Sequence, residues 1–187
     1  MNQMWITRLC LTFLGTASSA YGTSAYVEQA FDAQMAINRS GSVDASLGME
    51  YPLPESILPF DTSIDLGIVG HNLKSPSFGA YLGAKVLLMP SLINEPSTAL
   101  ALRTQMSFAG DAWSLQTGPL LTFDFIPWTL NTGLYPGWAS SGFDVGYEVG
   151  ARYYLDDFSN NALEVALKGS LQALDLSKLS AGFRFSL

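Results

Sequence analysis

Residues 143–155 read Phe-Asp-Val-Gly-Tyr-Glu-Val-Gly-Ala-Arg-Tyr-Tyr-Leu, and their character alternates at every step. A strand sends successive side chains to opposite faces. Phe143, Val145, Tyr147, Val149, Ala151, Tyr153 and Leu155 therefore share one apolar face. Asp144, Gly146, Glu148, Gly150, Arg152 and Tyr154 share the other, which holds every charge of the run. A soluble strand typically has about 5–6 residues, whereas a tilted strand crossing a bilayer needs about 9–11. The run is long enough for the second.

The same split recurs on both sides of it. In 42–51, Val43, Leu47 and Tyr51 oppose Asp44 and Glu50; in 78–88, Phe78, Leu82 and Val86 oppose Lys85; in 100–108, Leu102 and Met106 oppose Arg103. In 113–125, Trp113, Leu115 and Phe123 oppose Asp124; in 163–172, Leu163, Val165 and Leu167 oppose Glu164 and Lys168; in 178–187, Leu179, Phe183 and Phe185 oppose Lys178 and Arg184. Residues 63–70, with Asp65, and 26–38 fit less cleanly, and 26–38 also reads as a helix through Val27, Phe31 and Met35. Arg39-Ser40-Gly41 and Ala109-Gly110-Asp111 are tight-hairpin signals, and 156–161 is a polar turn. The stretches 52–62, 89–97 and 126–140 bear proline and read as longer connections. No internal repeat or interdomain linker breaks the meander.

Composition leaves either a large buried core or a membrane barrel, and the sorting of charge by face, the strand length and the small polar-face residues tip the balance to the barrel. Only 13% of the 187 residues are charged, 48% are hydrophobic, and mean hydropathy is +0.21; soluble domains carry about 25% charged residues. No apolar stretch reaches the roughly 18 residues of a spanning helix. Within the clean strands, no charge falls on the apolar face, as a lipid-facing surface demands, since Lys or Arg at the bilayer midplane costs about 2–4 kcal/mol. Small residues such as Gly48, Gly83, Gly146, Gly150 and Gly182 alternate with long ones on the polar face, as a narrow lumen requires. Lipid offers no hydrogen-bond partner, so the sheet must close. The expected fold is all-β: a closed antiparallel up-and-down transmembrane barrel.

Residues 1–20 read as a secretory signal peptide: Arg8, the apolar run Leu9–Ala17, and the small residues Ser18-Ser19-Ala20 before the cut. Residues 21–187 then form the barrel. The single cysteine, Cys10, lies in the leader, so no disulfide or thiolate metal site is expected in the mature part. The net charge of −7 argues against nucleic acid.

The C-terminal Ser180-Ala181-Gly182-Phe183-Arg184-Phe185-Ser186-Leu187 resembles the terminal signal of bacterial outer-membrane barrels, with Leu187 where Phe is commoner. The overall plan is similar to small barrels of the OmpA-transmembrane, OmpX and OmpW type. The resemblance implies residence in the bacterial outer membrane, lipid as the surrounding partner, and recognition of Ser180, Gly182, Phe185 and Leu187 by the barrel-assembly machinery.

Nine candidate runs conflict with the even strand number of bacterial barrels. Eight strands result if 26–38 lies outside, and ten if a further strand hides in 126–135. Counting back from the C-terminus places 52–62, 89–97 and 126–140 outside the cell and favours eight.

The polar-face charges Asp44, Glu50, Asp65, Lys85, Arg103, Asp124, Asp144, Glu148, Arg152, Glu164, Lys168 and Arg184 are expected to face one another across the lumen as a structural ion-pair network. His71, the only histidine, has Ser75 and Ser77 nearby in sequence, which alone makes no catalytic dyad. Aromatic residues including Tyr51, Phe108, Trp113, Phe125, Trp128, Tyr153 and Phe158 are expected as interfacial girdles. Tyr135 and Trp138, in the longest connection, are the candidates for contact with a surface partner. These features point to a non-enzymatic barrel without cofactor, serving envelope structure or surface interaction. The alternatives are a narrow pore or small hydrophobic-solute transporter, as the OmpW resemblance implies, a hydrolase using His71, and a soluble exported sandwich or lipocalin-like binder.

Overall fold

The computed structural model describes residues 24–54, 60–73, 77–90, 97–155, 161–171 and 175–186. The proposed leader, Phe158 and Leu187 lie outside the described residues. Ten strands follow in chain order: β1 (Ala30–Asn38), β2 (Val43–Pro52), β3 (Thr62–His71), β4 (Ser77–Met89), β5 (Ser97–Ala109), β6 (Ala112–Phe125), β7 (Trp128–Ala139), β8 (Gly142–Tyr154), β9 (Ala162–Ser170) and β10 (Asp175–Ser186). Each pairs antiparallel with its chain neighbours, and β1 closes the barrel on β10. The closing register sets Phe31 beside Phe185 and Asp32 beside Arg184.

Both ambiguous sequence runs are strands. Residues 30–38 belong to the wall, and β7 lies inside the stretch that read as the longest loop. The barrel thus has ten strands, the second of the two counts the sequence left open, and the count of eight falls. Inserting β7 also reverses the rim assigned to the strand ends that precede it. The strand ends Pro52 and Thr62, and Met89 and Ser97, lie at the rim where β1 begins and β10 ends, not opposite it.

Proline and glycine masked β7. The β6–β7 ladder is interrupted between the pairs Gln116–Gly137 and Leu120–Gly133, and Pro119 and Pro136 lie in the gap. Proline has no N–H to give a ladder. A Cβ on Gly118 would collide with the Leu134 carbonyl, so the two chains pass closer there than any other residue permits. The turn before β7, Ile126–Pro127, holds a cis peptide. Elsewhere the turns follow the sequence signals. Gly110, at φ +58°, opens the two-residue β5–β6 turn in the left-handed region that glycine enters without strain.

The molecule is inverted relative to a soluble protein. Phe78 is 75% exposed and Leu82 56%, while Arg152 is fully buried and Lys85 and Arg184 are 1% exposed. Among the side chains described, the exposed outer wall of the strands carries no charge, and closure of all ten strands into one barrel removes the sandwich as a reading. Two rows of aromatics bound this wall. Phe78, Phe108, Trp113, Trp138 and Phe143 stand at the rim away from the chain ends; Tyr51, Phe125, Trp128, Tyr153 and Phe185 stand at the other. Trp128 packs against Tyr153 at 4.7 Å between ring centres, and Trp138 against Phe143 at 5.2 Å. The outward hydroxyls of Thr104 and Thr117 satisfy each other at 2.8 Å. Inside, Tyr81 lies over Gly67 and Tyr135 over Gly133, where a Cβ would collide with each phenol. The small lumen residues make room for large ones.

Candidate functional site

The lumen is the candidate site, and its centre of gravity is a segment that precedes the first strand. Residues 24–29 enter the lumen at the rim of the chain ends and lie along the inner wall. We call this segment the strap. The Ala25 amide donates to Thr122 Oγ1 at 2.6 Å, and Lys85 Nζ donates to the carbonyl oxygens of Ser24, at 3.0 Å, and of Tyr26. The Ala25 methyl is fully buried against Leu87, Ala99, Ala101 and Leu120, an apolar spot on the inner wall. The Tyr26 hydroxyl meets Ser97 Oγ at 3.4 Å.

Glu28 locks the strap at its far end. Its carboxylate lies 3.0 Å from Arg152 Nη1 and 2.7 Å from Arg184 Nε, and its amide donates to Glu50 Oε1. Burial by itself would raise the Glu28 pKa, but Arg152, Arg184 and Lys85 outweigh it and hold the carboxyl below its ordinary value.

Around this lock the wall supplies a continuous network. Arg184 reaches Asp32 at 2.9 Å and Glu50 at 2.7 Å, and Lys85 reaches Glu50 at 2.7 Å. Arg152 reaches Glu164 at 2.6 Å, Gln34 donates to Glu164 at 3.1 Å, and Ser63 donates to Glu50 at 2.8 Å. Asp65 is buried opposite Glu50 in the register. Charges taken from water at this depth hold only when paired and hydrogen-bonded.

Farther along, Glu148 lies 3.3 Å from Lys168 and 3.8 Å from Arg103, whose guanidinium sits over the Tyr135 ring at 5.8 Å. At the rim away from the chain ends, Asp44 is held by Lys178 at 2.6 Å, Asn38 at 3.1 Å and the Asn72 amide at 3.0 Å. His71 Nδ1 stands 3.6 Å from the same carboxylate. Asp144 accepts from Ser170 at 2.6 Å and Asp124 from Thr129 at 2.8 Å, each near a rim and partly exposed.

All twelve charges expected in the lumen lie on the inner wall. The sequence reading missed Glu28, Asp32 and Lys178 as members. Lys178 was legible on the polar face of the last strand, and Asp32 was hidden by the helix-like spacing of 26–38. Nothing in the sequence signalled Glu28, whose role depends on the strap folding back into the lumen. Tyr135 and Trp138 belong to β7 and not to a loop: Tyr135 is buried in the lumen, and Trp138 is 60% exposed on the outer wall. Ser180, Gly182 and Arg184 of the C-terminal segment face inward, while Phe183 and Phe185 face outward. Among the described residues no hydrogen bond joins His71 to a serine hydroxyl, and the carboxylate beside it is already held by three other donors.

A closed, ten-stranded, up-and-down barrel with an apolar outer wall and an ion-paired interior is the class that this geometry defines. Its fold is similar to that of a solved chain described as KdgM porin, at 12% identity and a TM-score of 0.51, over 84% of this chain and 99% of that one. No family model and no curated protein matches the sequence.

Proposed function

We propose that this chain is an integral outer-membrane barrel, exported by its leader and inserted by the barrel-assembly machinery. As built, it is a closed, non-enzymatic element of the envelope. One observation carries the reading: the exposed belt between two aromatic rows is free of charge among the described side chains, while most charges of the inner wall are buried and ion-paired. Acyl chains are the solvent that this arrangement matches. The strap and its ion pairs fill the mouth at the chain ends, so the resting barrel passes no solute. The crowded coordination of Asp44 makes His71 a structural partner and not the base of a hydrolase.

The membrane fraction, run on a gel with and without boiling, tests the insertion. A folded barrel migrates differently before and after heating, and an unchanged band defeats the proposal. Planar bilayers test the closure. Purified wild-type barrel is expected to be silent for most of the record; steady conductance overturns the closed reading.

A further inference from the structure

The strap is attached to the lumen differently from any wall residue. It belongs to no strand, so removing it breaks no ladder hydrogen bond. Its seat consists of one buried methyl, a few hydrogen bonds to Lys85 and Thr122, and one doubly paired carboxylate, Glu28. Each wall group it touches keeps other partners without it. Arg184 retains Asp32 and Glu50, Arg152 retains Glu164, and Lys85 retains Glu50. The vacated wall is thus left paired and does not collapse around a naked buried charge.

The opposite mouth is only half closed. Asp44, His71 and Lys178 are buried there, but Ser77, the register partner of His71, is exposed, and Ser114, Gln116 and Asp144 farther round the rim are partly so. Water therefore reaches the groups at that rim; between them and the strap stand the buried wall side chains Arg103, Tyr135, Glu148 and Lys168, and among the described residues the strap is the obstruction that no strand carries.

We propose that the strap is a displaceable plug, and that the barrel with its strap displaced conducts small inorganic cations. Selectivity follows from the walls, where acids outnumber bases in the described strands. An excess of negative charge along a low-dielectric lumen concentrates cations. The inference rests on the reading that the barrel inserts in a bilayer, and heat-modifiable migration scores that reading separately.

The test uses full-length barrel in planar bilayers under a KCl gradient. Glu28→Ala removes both arginine contacts of the strap and is expected to raise the open fraction roughly tenfold or more over wild type, with a reversal potential displaced toward potassium. Ala25→Asp, which puts a carboxylate into the apolar seat without touching the wall, is expected to do the same and covers the case in which the first variant fails to fold. In the Glu28→Ala background, Ala25→Cys with Thr122→Cys joins strap to wall where the Ala25 amide meets the Thr122 side chain. The oxidised form is expected to be silent and the reduced form to conduct. Heat-modifiable variants that remain silent overturn the proposal. So does conductance that the crosslink leaves unchanged, because the path then bypasses the strap, and so does anion selectivity.

Discussion

The two mouths of the barrel solve one problem differently. At the mouth of the chain ends, Arg184 of β10 and Arg152 of β8 gather acids from the strap, β1, β2 and β9, and the group is shared among six elements. At the opposite mouth, Asp44 of β2 draws Asn38 and Asn72 from the ends of the strands beside it and Lys178 from β10, one strand farther round the wall. The first arrangement ties distant strands together and depends on a segment outside the sheet. The second caps a local corner. An ion network that spans the lumen makes each member hard to remove, whereas a corner rich in neutral donors tolerates a loss.

Substitutions at the two mouths test that contrast directly. Arg184→Met takes the ion-pair partner from buried Asp32 and one of two cations from each of Glu28 and Glu50, and urea unfolding in liposomes is expected to report a loss of about 3–5 kcal/mol. Equal stability to wild type would mean that water screens the lumen. The outer wall gives the next effect. Leu82→Arg places a charge in the acyl region and is expected to lower stability by about 2–4 kcal/mol by the same measurement. Lys178→Met is expected to cost less, about 1–3 kcal/mol, because Asn38 and the Asn72 amide still hold Asp44. If it matched Arg184→Met, the contrast between the mouths would be lost. The smallest effect is outside. Thr104→Val alone leaves the Thr117 hydroxyl without its partner, at about 1 kcal/mol, while the double change with Thr117→Val is expected to be near neutral. A double mutant worse than the single would show that the hydroxyls do more than satisfy each other.

The inner and outer walls were legible because alternation is local. The partition of Phe143, Val145 and Tyr147 from Asp144, Glu148 and Arg152 follows from the pleat alone, and every clean run repeats it. The strand count was not legible, because Pro119, Pro136, Gly133 and Gly137 erase the pattern where β6 and β7 approach most closely. A gap in the ladder and a collision with the Leu134 carbonyl are facts about two chains side by side, and neither strand carries them by itself. The helix-like spacing of 26–38 misled for a related reason: closure against Phe183, Phe185 and Met49 outweighs the local periodicity.

By itself, the sequence determined that the chain forms long two-faced strands, that the charged face must be shielded, and that the sheet must close. Pleat geometry and the free energy of burying charge decide those points residue by residue. Only the tertiary structure decided that there are ten strands, which rim holds the longer connections, and that residues 24–29 turn back into the lumen. Those outcomes depend on which surfaces meet after closure: a methyl finds its apolar spot and a carboxylate finds two arginines from strands more than a hundred residues away in the chain.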